Sequence, residues 1–379
     1  MATVKESYDR AKEVKQFEDS KLGVKGLVDS GITSIPRFFV LPPDALSGVR
    51  RRPNQDVVPI IDLSGVDSDL LRPTIVENVA RASRELGIFQ VVNHGIGVDF
   101  LERVLGAIGG FHEQPPEAKA LLYRRDLYRV SFFTDLDIAP GWRDTIRMVF
   151  GLGQQDVDEI PEIIRNEVVE FDQRVTKVGE VLMGLLCEGL GVKTERLKEM
   201  TFLQQRSIFA HYYSYCPQPD LTLGTSSHTD AGGLTILFQD QKGGLQAKYG
   251  EDWVDVKPVP GALVVNIGDA LQVILYKSKK FNRFCGNFDL IFVFQIVSND
   301  EYRSAEHRVL ANSSQEPRIS AAVFFNPGDV DSLYGPLPEL ISTEKPARFR
   351  QFTFTEYRKR FMTKDLDGKS LVNYYSLSE

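Results

Sequence analysis

Hydrophobic positions in the first half of the chain recur mainly at helical spacing. The longest such run covers residues 159–190 and is ended by Gly191. Its apolar stripe consists of Val168, Phe171, Val175, Val178, Val181, Leu182 and Leu185. Residues 8–27, 74–86 and 99–111 show the same periodicity, whereas 57–63 and 88–92 are short apolar runs typical of strands. The pattern therefore predicts a mixed α/β region over residues 1–200.

After about residue 205 the pattern changes to short apolar runs separated by Gly, Pro and Asp turns. These runs cover residues 208–213, 234–239, 245–249, 253–256, 262–267, 308–311 and 319–325. Short strands with frequent turn signals indicate a β-sandwich or barrel. A further helix is predicted at 352–363, within a C-terminal helical segment over 336–379. The fold class is thus expected to be α+β.

Composition narrows the possible partners. The chain has 379 residues and a net charge of −7 with no long basic run, which argues against nucleic acid or an anionic membrane as partner. Its three cysteines lack metal-site spacing, so a reduced, cytoplasmic protein is expected. The N-terminus is charged and no apolar run approaches about 18 residues, so neither a secretory signal nor a membrane span is expected. The oligomeric state stays open.

Three residues form a candidate metal site. His228 and Asp230 are two positions apart, and residues i and i+2 of a strand point to the same face. His307 can supply a third ligand from a distant strand. Two histidines and one carboxylate leave positions open on Fe(II), as in oxygenases, although zinc also accepts these donors. With this motif, the expected core over residues 205–335 is a double-stranded β-helix, a jelly-roll of cupin-like type.

A second pair with the same spacing follows eleven residues after His307. Arg318 and Ser320 would lie on one face of a strand. A guanidinium offers a bidentate fork to a carboxylate, and the hydroxyl adds a hydrogen bond. A metal triad beside such a carboxylate clamp suggests a 2-oxo acid that chelates iron at one end and is anchored at the other.

Several further segments carry a family resemblance over nearly the whole chain. They are residues 23–31 (GVKGLVDSG), 58–63 (VPIIDL), 87–95 (GIFQVVNHG), 142–144 (WRD), 211–213 (HYY), 216–219 (CPQP), 223–225 (LGT) and 265–269 (VNIGD). Together with the triad they resemble the plant 2-oxoglutarate/Fe(II)-dependent dioxygenases, in particular the 1-aminocyclopropane-1-carboxylate oxidase homologues. The resemblance implies Fe(II), 2-oxoglutarate and O₂ as reactants, with Tyr213 joining Arg318 and Ser320 around the co-substrate carboxylate. His211 stands where the family often has Asn.

The resemblance implies hydroxylation or desaturation of a small molecule of specialised metabolism, with release of succinate and CO₂. Candidate pocket residues, each of which could equally be core packing, are Phe132, Phe133, Trp142, Phe324 and Phe325. Two alternatives remain open. Residues 228–233 (HTDAGG) resemble true aminocyclopropane-carboxylate oxidases, which use ascorbate, and an anomalous segment could leave a non-catalytic member of the family.

That anomalous segment is residues 273–295. Relatives run almost directly from a segment like GDALQ (268–272) to one like IVSND (296–300), so these 23 residues are interposed. Thirteen of the 23 are Phe, Lys, Asn, Ile or Tyr, whose codons are rich in A and T. The first residue, Val, has codons that begin with GT, and the last, Gln, can be encoded by CAG. We hypothesise an intron retained in frame; a substrate lid specific to this lineage is the alternative.

Overall fold

The computed structural model describes residues 8–46, 57–124, 129–136, 140–151, 157–230, 233–268, 294–329, 331–353, 356 and 375–377. The helices in these ranges are α1 (Arg10–Ser20), α2 (Gly23–Asp29), α3 (Arg72–Glu85), α4 (Val98–His112), α5 (Pro116–Ala120), α6 (Glu162–Gly189), α7 (Arg196–Glu199) and α8 (Phe294–Val297). None of these helices is long and apolar enough to cross a membrane.

The strands alternate with these helices in the first half and dominate the second. They are β1 (Ile60–Asp62), β2 (Ile88–Val92), β3 (Val130–Thr134), β4 (Asp144–Phe150), β5 (Gln205–Tyr213), β6 (Leu223–His228), β7 (Leu234–Gln239), β8 (Leu245–Tyr249), β9 (Asp252–Asp255), β10 (Leu263–Ile267), β11 (His307–Leu310), β12 (Arg318–Asn326), β13 (Leu333–Tyr334) and β14 (Phe352–Thr353).

Two sheets form the core. The larger has the order β1-β2-β10-β7-β12-β5-β4-β3, and the smaller has the order β6-β11-β8-β9. Within them, β1 and β2 pair in parallel and the other pairs are antiparallel. Non-sequential neighbours such as β12 between β5 and β7 are typical of a jelly-roll. The predicted α+β class with a jelly-roll core and flanking helices is confirmed.

The outer face of the large sheet is the apolar one. Ile146, Ile208, Ile236, Val265 and Val323 lie on this face and belong to one buried cluster with residues of α3, α4 and α6. The predicted stripe of α6 supplies the helix side: Val168, Phe171, Val175 and Leu182 are fully buried. Burial of this layer against helices is the main hydrophobic stabilisation of the fold.

The inner face of the large sheet looks toward the small sheet. A second cluster lies between the sheets and includes Leu237, Val264 and Ala322 from the large sheet and Leu245 and Val309 from the small one. Because side chains alternate along a strand, this contact also fixes the direction of the polar residues between these apolar positions. The site described below lies on this face.

Hydrogen bonds to a buried carboxylate connect α2 to the large sheet. Asp144 accepts hydrogen bonds from the backbone N–H groups of Val24 and Lys25, each at 2.8 Å, and from Thr134 Oγ1 at 2.6 Å. Gly23 has a φ of +69°, and a Cβ there would lie 2.5 Å from the Asp144 carboxylate, so glycine is required. The neighbouring Arg143 pairs with Asp135 instead, with Nη2 3.2 Å from Oδ2.

The C-terminal prediction is wrong at its start. Phe352 and Thr353 form β14, which pairs with β13, rather than the first turn of a helix. Glu356 is helical, whereas residues 354–355 and 357–374 lie outside the described residues, so the predicted helix is otherwise untested. The anomalous segment 273–295 also lies outside them, apart from Phe294 and Gln295 at the start of α8. The proposed domain limits at 200, 205 and 335 stay predictions.

Candidate metal centre

The strand register brings the three candidate ligands together. His228 is the last residue of β6 and His307 the first of β11, and the two are direct cross-strand partners. Asp230 lies two residues beyond the end of β6, next to the two imidazoles. Two short segments separated by 77 positions in sequence thus meet at one edge of the small sheet.

The donor atoms of this triad converge. Nε2 of His307 lies 3.3 Å from Oδ1 of Asp230, and Nε2 of His228 lies 3.6 Å from the same oxygen. The two imidazole ring centres are 4.3 Å apart. One donor atom from each residue falls within 4.8 Å of the others, a spacing at which a single cation can be shared.

Neighbouring groups hold each ligand in the orientation that a metal needs. Nδ1 of His228 lies 2.8 Å from the Ser226 carbonyl, and Nδ1 of His307 lies 2.9 Å from the Ala305 carbonyl. A carbonyl accepts only, so each Nδ1 donates and each Nε2 keeps its lone pair for a cation. Asn266 donates from Nδ2 to Oδ2 of Asp230 at 2.9 Å, which leaves Oδ1 directed at the histidines.

The protonation states also suit metal binding. Burial, with the proximity of His307, lowers the pKa of His228 to about 4, so its imidazole is neutral near pH 7. Burial alone would raise the pKa of Asp230, but His307 and His228 outweigh it and hold this pKa well below its usual range. Neutral imidazoles and an ionised carboxylate are the forms that ligate divalent cations.

A carboxylate-binding slot lies on the inner face of the large sheet. Arg318 is 2% exposed and donates to Gly243 O at 2.6 Å, Gln239 Oε1 at 2.7 Å and Ser320 Oγ at 3.3 Å. A guanidinium has five N–H donors, so two remain, one on each terminal nitrogen. Its Cζ lies 4.7 Å from the Tyr213 ring centre, which fixes the plane of the fork.

The slot also contains a donor that the sequence did not reveal. Oε1 of Gln239 accepts from Arg318, and its buried Nε2 has no hydrogen-bond partner within the described ranges. Tyr213 completes the group, with its hydroxyl 3.1 Å from Thr225 Oγ1. A guanidinium fork with an unsatisfied amide N–H beside it fits a ligand carboxylate.

Gln239 and Asn266 were missed because nothing local singles them out. Both occupy inward positions of their strands, but alternation alone also places many structural residues there. His211, which replaces the more usual Asn, lies one inward position from Tyr213. Its Nδ1 is 2.9 Å from Thr145 Oγ1, and burial together with Arg143 and Arg318 lowers its pKa well below the usual value, so it is neutral.

The five aromatic pocket candidates divide into two groups. Phe132, Trp142 and Phe325 are fully buried in the protein core and do not line a pocket. Trp142 instead packs edge-on against Phe39 and donates from Nε1 to Tyr215 O at 3.1 Å. Phe133 and Phe324 are partly exposed and point inward. The pocket prediction is therefore retained for these two residues only.

Comparison with known proteins supports a redox function for this arrangement. The sequence model of the 2OG-Fe(II) oxygenase superfamily matches residues 204–327, and that of the non-haem dioxygenase in morphine synthesis N-terminal region matches 58–157. The chain is 40% identical to 1-aminocyclopropane-1-carboxylate oxidase homolog 5 of Arabidopsis thaliana, over 97% of this chain and 90% of that protein. It is 38% identical to deacetoxyvindoline 4-hydroxylase of Catharanthus roseus, over 100% and 92% respectively.

A solved structure shows the same fold with the expected reactants. The crystal structure of JOX2 in complex with 2OG, Fe, and JA matches with a TM-score of 0.75 and 30% identity, over 94% of this chain and 98% of that one. The oxygenase match includes the triad, Arg318, Ser320 and Tyr213. The chain belongs to the plant branch of the 2OG-Fe(II) oxygenase superfamily, whose members are enzymes that use Fe(II) and 2-oxoglutarate.

Proposed function

We propose that His228, Asp230 and His307 hold Fe(II) and that Arg318, Ser320 and Tyr213 hold the distal carboxylate of 2-oxoglutarate. The observation that carries this assignment is the convergence of three donor atoms within 4.8 Å, with each imidazole Nδ1 held by a backbone carbonyl and each Nε2 on the side of the Asp230 carboxylate. Two imidazoles and one carboxylate on one side of an iron leave coordination positions for a 2-oxo acid and O₂.

The enzyme oxidises a small organic substrate, by hydroxylation or desaturation, and releases succinate and CO₂. Similarity to deacetoxyvindoline 4-hydroxylase supports a substrate from specialised metabolism. Fe(II) and 2-oxoglutarate, when bound, would activate O₂, which is the oxidant for both the substrate C–H bond and the conversion of 2-oxoglutarate to succinate and CO₂.

The residues of this chain orient the reactants. Ser226 and Ala305 fix the imidazole tautomers, Asn266 fixes the Asp230 carboxylate, and Gln239 holds the Arg318 fork in place. Asp230, Arg318 and Gln239 are almost fully buried, which limits the access of bulk water to the reacting atoms.

The experiment that tests the assignment is Fe(II) titration of His228→Ala, followed by measurement of succinate formation. We expect iron binding and succinate release to be lost while the thermal unfolding temperature of the metal-free protein changes little. His94→Gln is the matched control, because Nε2 of His94 bonds to Gly261 O and lies outside the triad. Retained iron binding in His228→Ala would refute the assignment.

The same assay separates the alternative functions. Succinate formed in proportion to consumed 2-oxoglutarate supports the proposed reaction, whereas turnover that requires ascorbate and forms no succinate indicates an oxidase acting on an amino acid. Wild-type protein that binds no Fe(II) would indicate a non-catalytic member.

We also propose a cytoplasmic location and no nucleic-acid partner. Buried thiols at Cys187 and Cys216, each with a pKa raised to about 11 by burial, support a reducing compartment. The net charge of −7 supports the second statement.

A further inference from the structure

On one half of the inner face, the accessible side chains are almost all apolar. Among the described inward residues of β3, β4, β5 and β12, five are partly exposed and the others are buried. The five are Phe133, Val149, Phe209, His211 and Phe324. His211 is the polar member of this set, and the proposed function leaves it unassigned.

His211 borders an accessible space inside the protein. Its strand, β5, is paired with β12 on one side and with β4 on the other. Both backbone edges are therefore covered, and the accessible surface of His211 belongs to its inward side chain. The adjoining Phe209 is partly exposed for the same reason, with its ring centre 6.2 Å from that of His211. Phe324 meets Phe209 edge to face at 5.1 Å, so the imidazole continues an aromatic lining.

One nitrogen of this imidazole is engaged and the other is available. Nδ1 of His211 lies 2.9 Å from Thr145 Oγ1 on β4. Nε2 forms no hydrogen bond within the described ranges, and it is not one of the fully buried atoms that lack a partner. Nε2 therefore reaches the accessible space. Because the two ring nitrogens point in different directions, the contact of Nδ1 with β4 directs Nε2 away from that strand.

The available nitrogen can either donate or accept a hydrogen bond. Burial, with Arg143 and Arg318 nearby, holds the pKa of His211 well below its usual value, so the imidazole is neutral and one of its nitrogens carries the proton. The Thr145 hydroxyl both donates and accepts, so it can pair with either tautomer. A neutral imidazole does not compensate a buried ligand charge, but it can satisfy an uncharged oxygen.

The 2-oxoglutarate carboxylate does not require His211. A carboxylate accepts about four hydrogen bonds. Arg318 offers two N–H donors, Ser320 offers a hydroxyl, and Gln239 offers an amide N–H, so these donors already match that capacity. Strands β5 and β7 flank β12, so His211 and Gln239 lie on opposite sides of Ser320. Nε2 of His211 is therefore left for a different ligand.

We propose that His211 determines substrate specificity through a hydrogen bond between Nε2 and an uncharged hydroxyl or carbonyl oxygen of the organic substrate. The apolar body of that substrate lies against Phe209 and Phe324, because a pocket lined by aromatic rings with one placed polar group suits such a molecule. The inference rests on the proposed function and narrows its substrate class to apolar, ring-containing molecules that carry a neutral oxygen. A site that bonds such an oxygen discriminates against an analogue that lacks it.

The test compares probes with analogues of similar shape that lack the oxygen. The pairs are 2-naphthol with 2-methylnaphthalene, 4-methylphenol with 1,4-dimethylbenzene, and acetophenone with 2-phenylpropene. Each probe is titrated calorimetrically into anaerobic protein with Fe(II) and saturating 2-oxoglutarate, so that it does not occupy the co-substrate slot. His211→Phe removes both ring nitrogens and keeps an aromatic ring. His94→Phe is the matched control, since Nε2 of His94 bonds to Gly261 O.

We expect at least one oxygenated probe to bind His211→Phe about tenfold or more weakly than wild type, while its oxygen-free analogue stays within about threefold. In His94→Phe both members of each pair should stay within about threefold of wild type. The proposal is overturned if no oxygenated probe binds wild type, or if none weakens selectively in His211→Phe. Should His211→Phe fail to fold, His211→Met, which also lacks the ring nitrogens, decides by the same criteria.

Binding of 2-oxoglutarate separates a substrate contact from a co-substrate contact. Its Kd, measured before any probe is added, should stay within about threefold of wild type in His211→Phe. A loss confined to 2-oxoglutarate would assign His211 to the co-substrate slot and overturn the proposal. Failure of the wild-type protein to bind Fe(II) or 2-oxoglutarate would instead refute the proposed function.

Discussion

Replacement of Arg318 tests the co-substrate slot most directly. Three of its five N–H donors are used by Gly243, Gln239 and Ser320, so two remain for a ligand carboxylate. Hydrogen bonds to charged groups contribute about 1.5–3 kcal/mol each. Arg318→Leu should therefore weaken 2-oxoglutarate binding by about 3–6 kcal/mol, at least about 150-fold in Kd. Arg318→Lys keeps the charge but loses the fork, and should cost about 10-fold to 150-fold.

A second ligand separates this effect from damage to the protein. 2-Oxopentanoate keeps the 2-oxo acid end but has no distal carboxylate, so its affinity should change little in either variant. Anaerobic calorimetry with Fe(II) present gives both dissociation constants, and steady-state succinate formation should show a raised KM for 2-oxoglutarate with kcat largely kept in Arg318→Lys. Equal weakening of both ligands, or an unchanged Kd for 2-oxoglutarate, would refute the assigned role of Arg318.

Three further predictions concern the metal, pH and the anomalous segment. Asn266→Ala should weaken Fe(II) binding about 10-fold to 100-fold in a metal titration, because Asp230 loses its orienting donor, whereas Thr235→Val on the neighbouring strand should not. Burial lowers the pKa of His112 to about 3, below its unfolded value near 6.5, so the folded state resists protonation and stability falls as pH drops below 6.5. Urea unfolding should show about 2 kcal/mol lost between pH 7.5 and 5 from this residue, and His112→Leu should lack that loss. Deletion of residues 273–295 should leave Fe(II) affinity within about threefold; an unfolded deletion variant, or a spliced transcript that contains these codons, would contradict the retained-intron hypothesis.

The parts of the site that could be predicted share one property, a local spacing of two residues. Arg318 and Ser320 have this spacing within β12, and alternation along a strand turns it into a shared face. The same spacing identified Asp230 as the partner of His228, but Asp230 lies beyond the end of β6, so alternation does not set its direction. The pairing of His307 with His228 is different, because a register between β11 and β6 depends on the whole sheet. There the sequence identified His307 as a candidate third ligand, but no local pattern specified its pairing with His228.

The same alternation explains the errors. Both members of the pairs Phe132–Phe133 and Phe324–Phe325 were pocket candidates, yet adjacent strand residues point to opposite faces, so one member of each pair had to be core. Gln239 and Asn266 act through partners 79 and 36 positions away in sequence. No local pattern reports such contacts, because they arise only when separate strands become neighbours.

The outer face of the large sheet contributes most to stability, whereas the inner face carries the groups that bind ligands. Polar atoms of Ser131, Gln205, Thr235, Gln239, Asn266 and Asn326 are buried without a hydrogen-bond partner within the described ranges, and all six residues point inward. Each such atom destabilises the folded state by about 1–3 kcal/mol if it stays unsatisfied. A face with only a structural role is not expected to contain six such residues. The outer face offsets this destabilisation through the apolar layer packed on α3, α4 and α6. A sheet stabilised from outside can keep donors and acceptors unused inside, where ligands with matching polar groups satisfy them on binding.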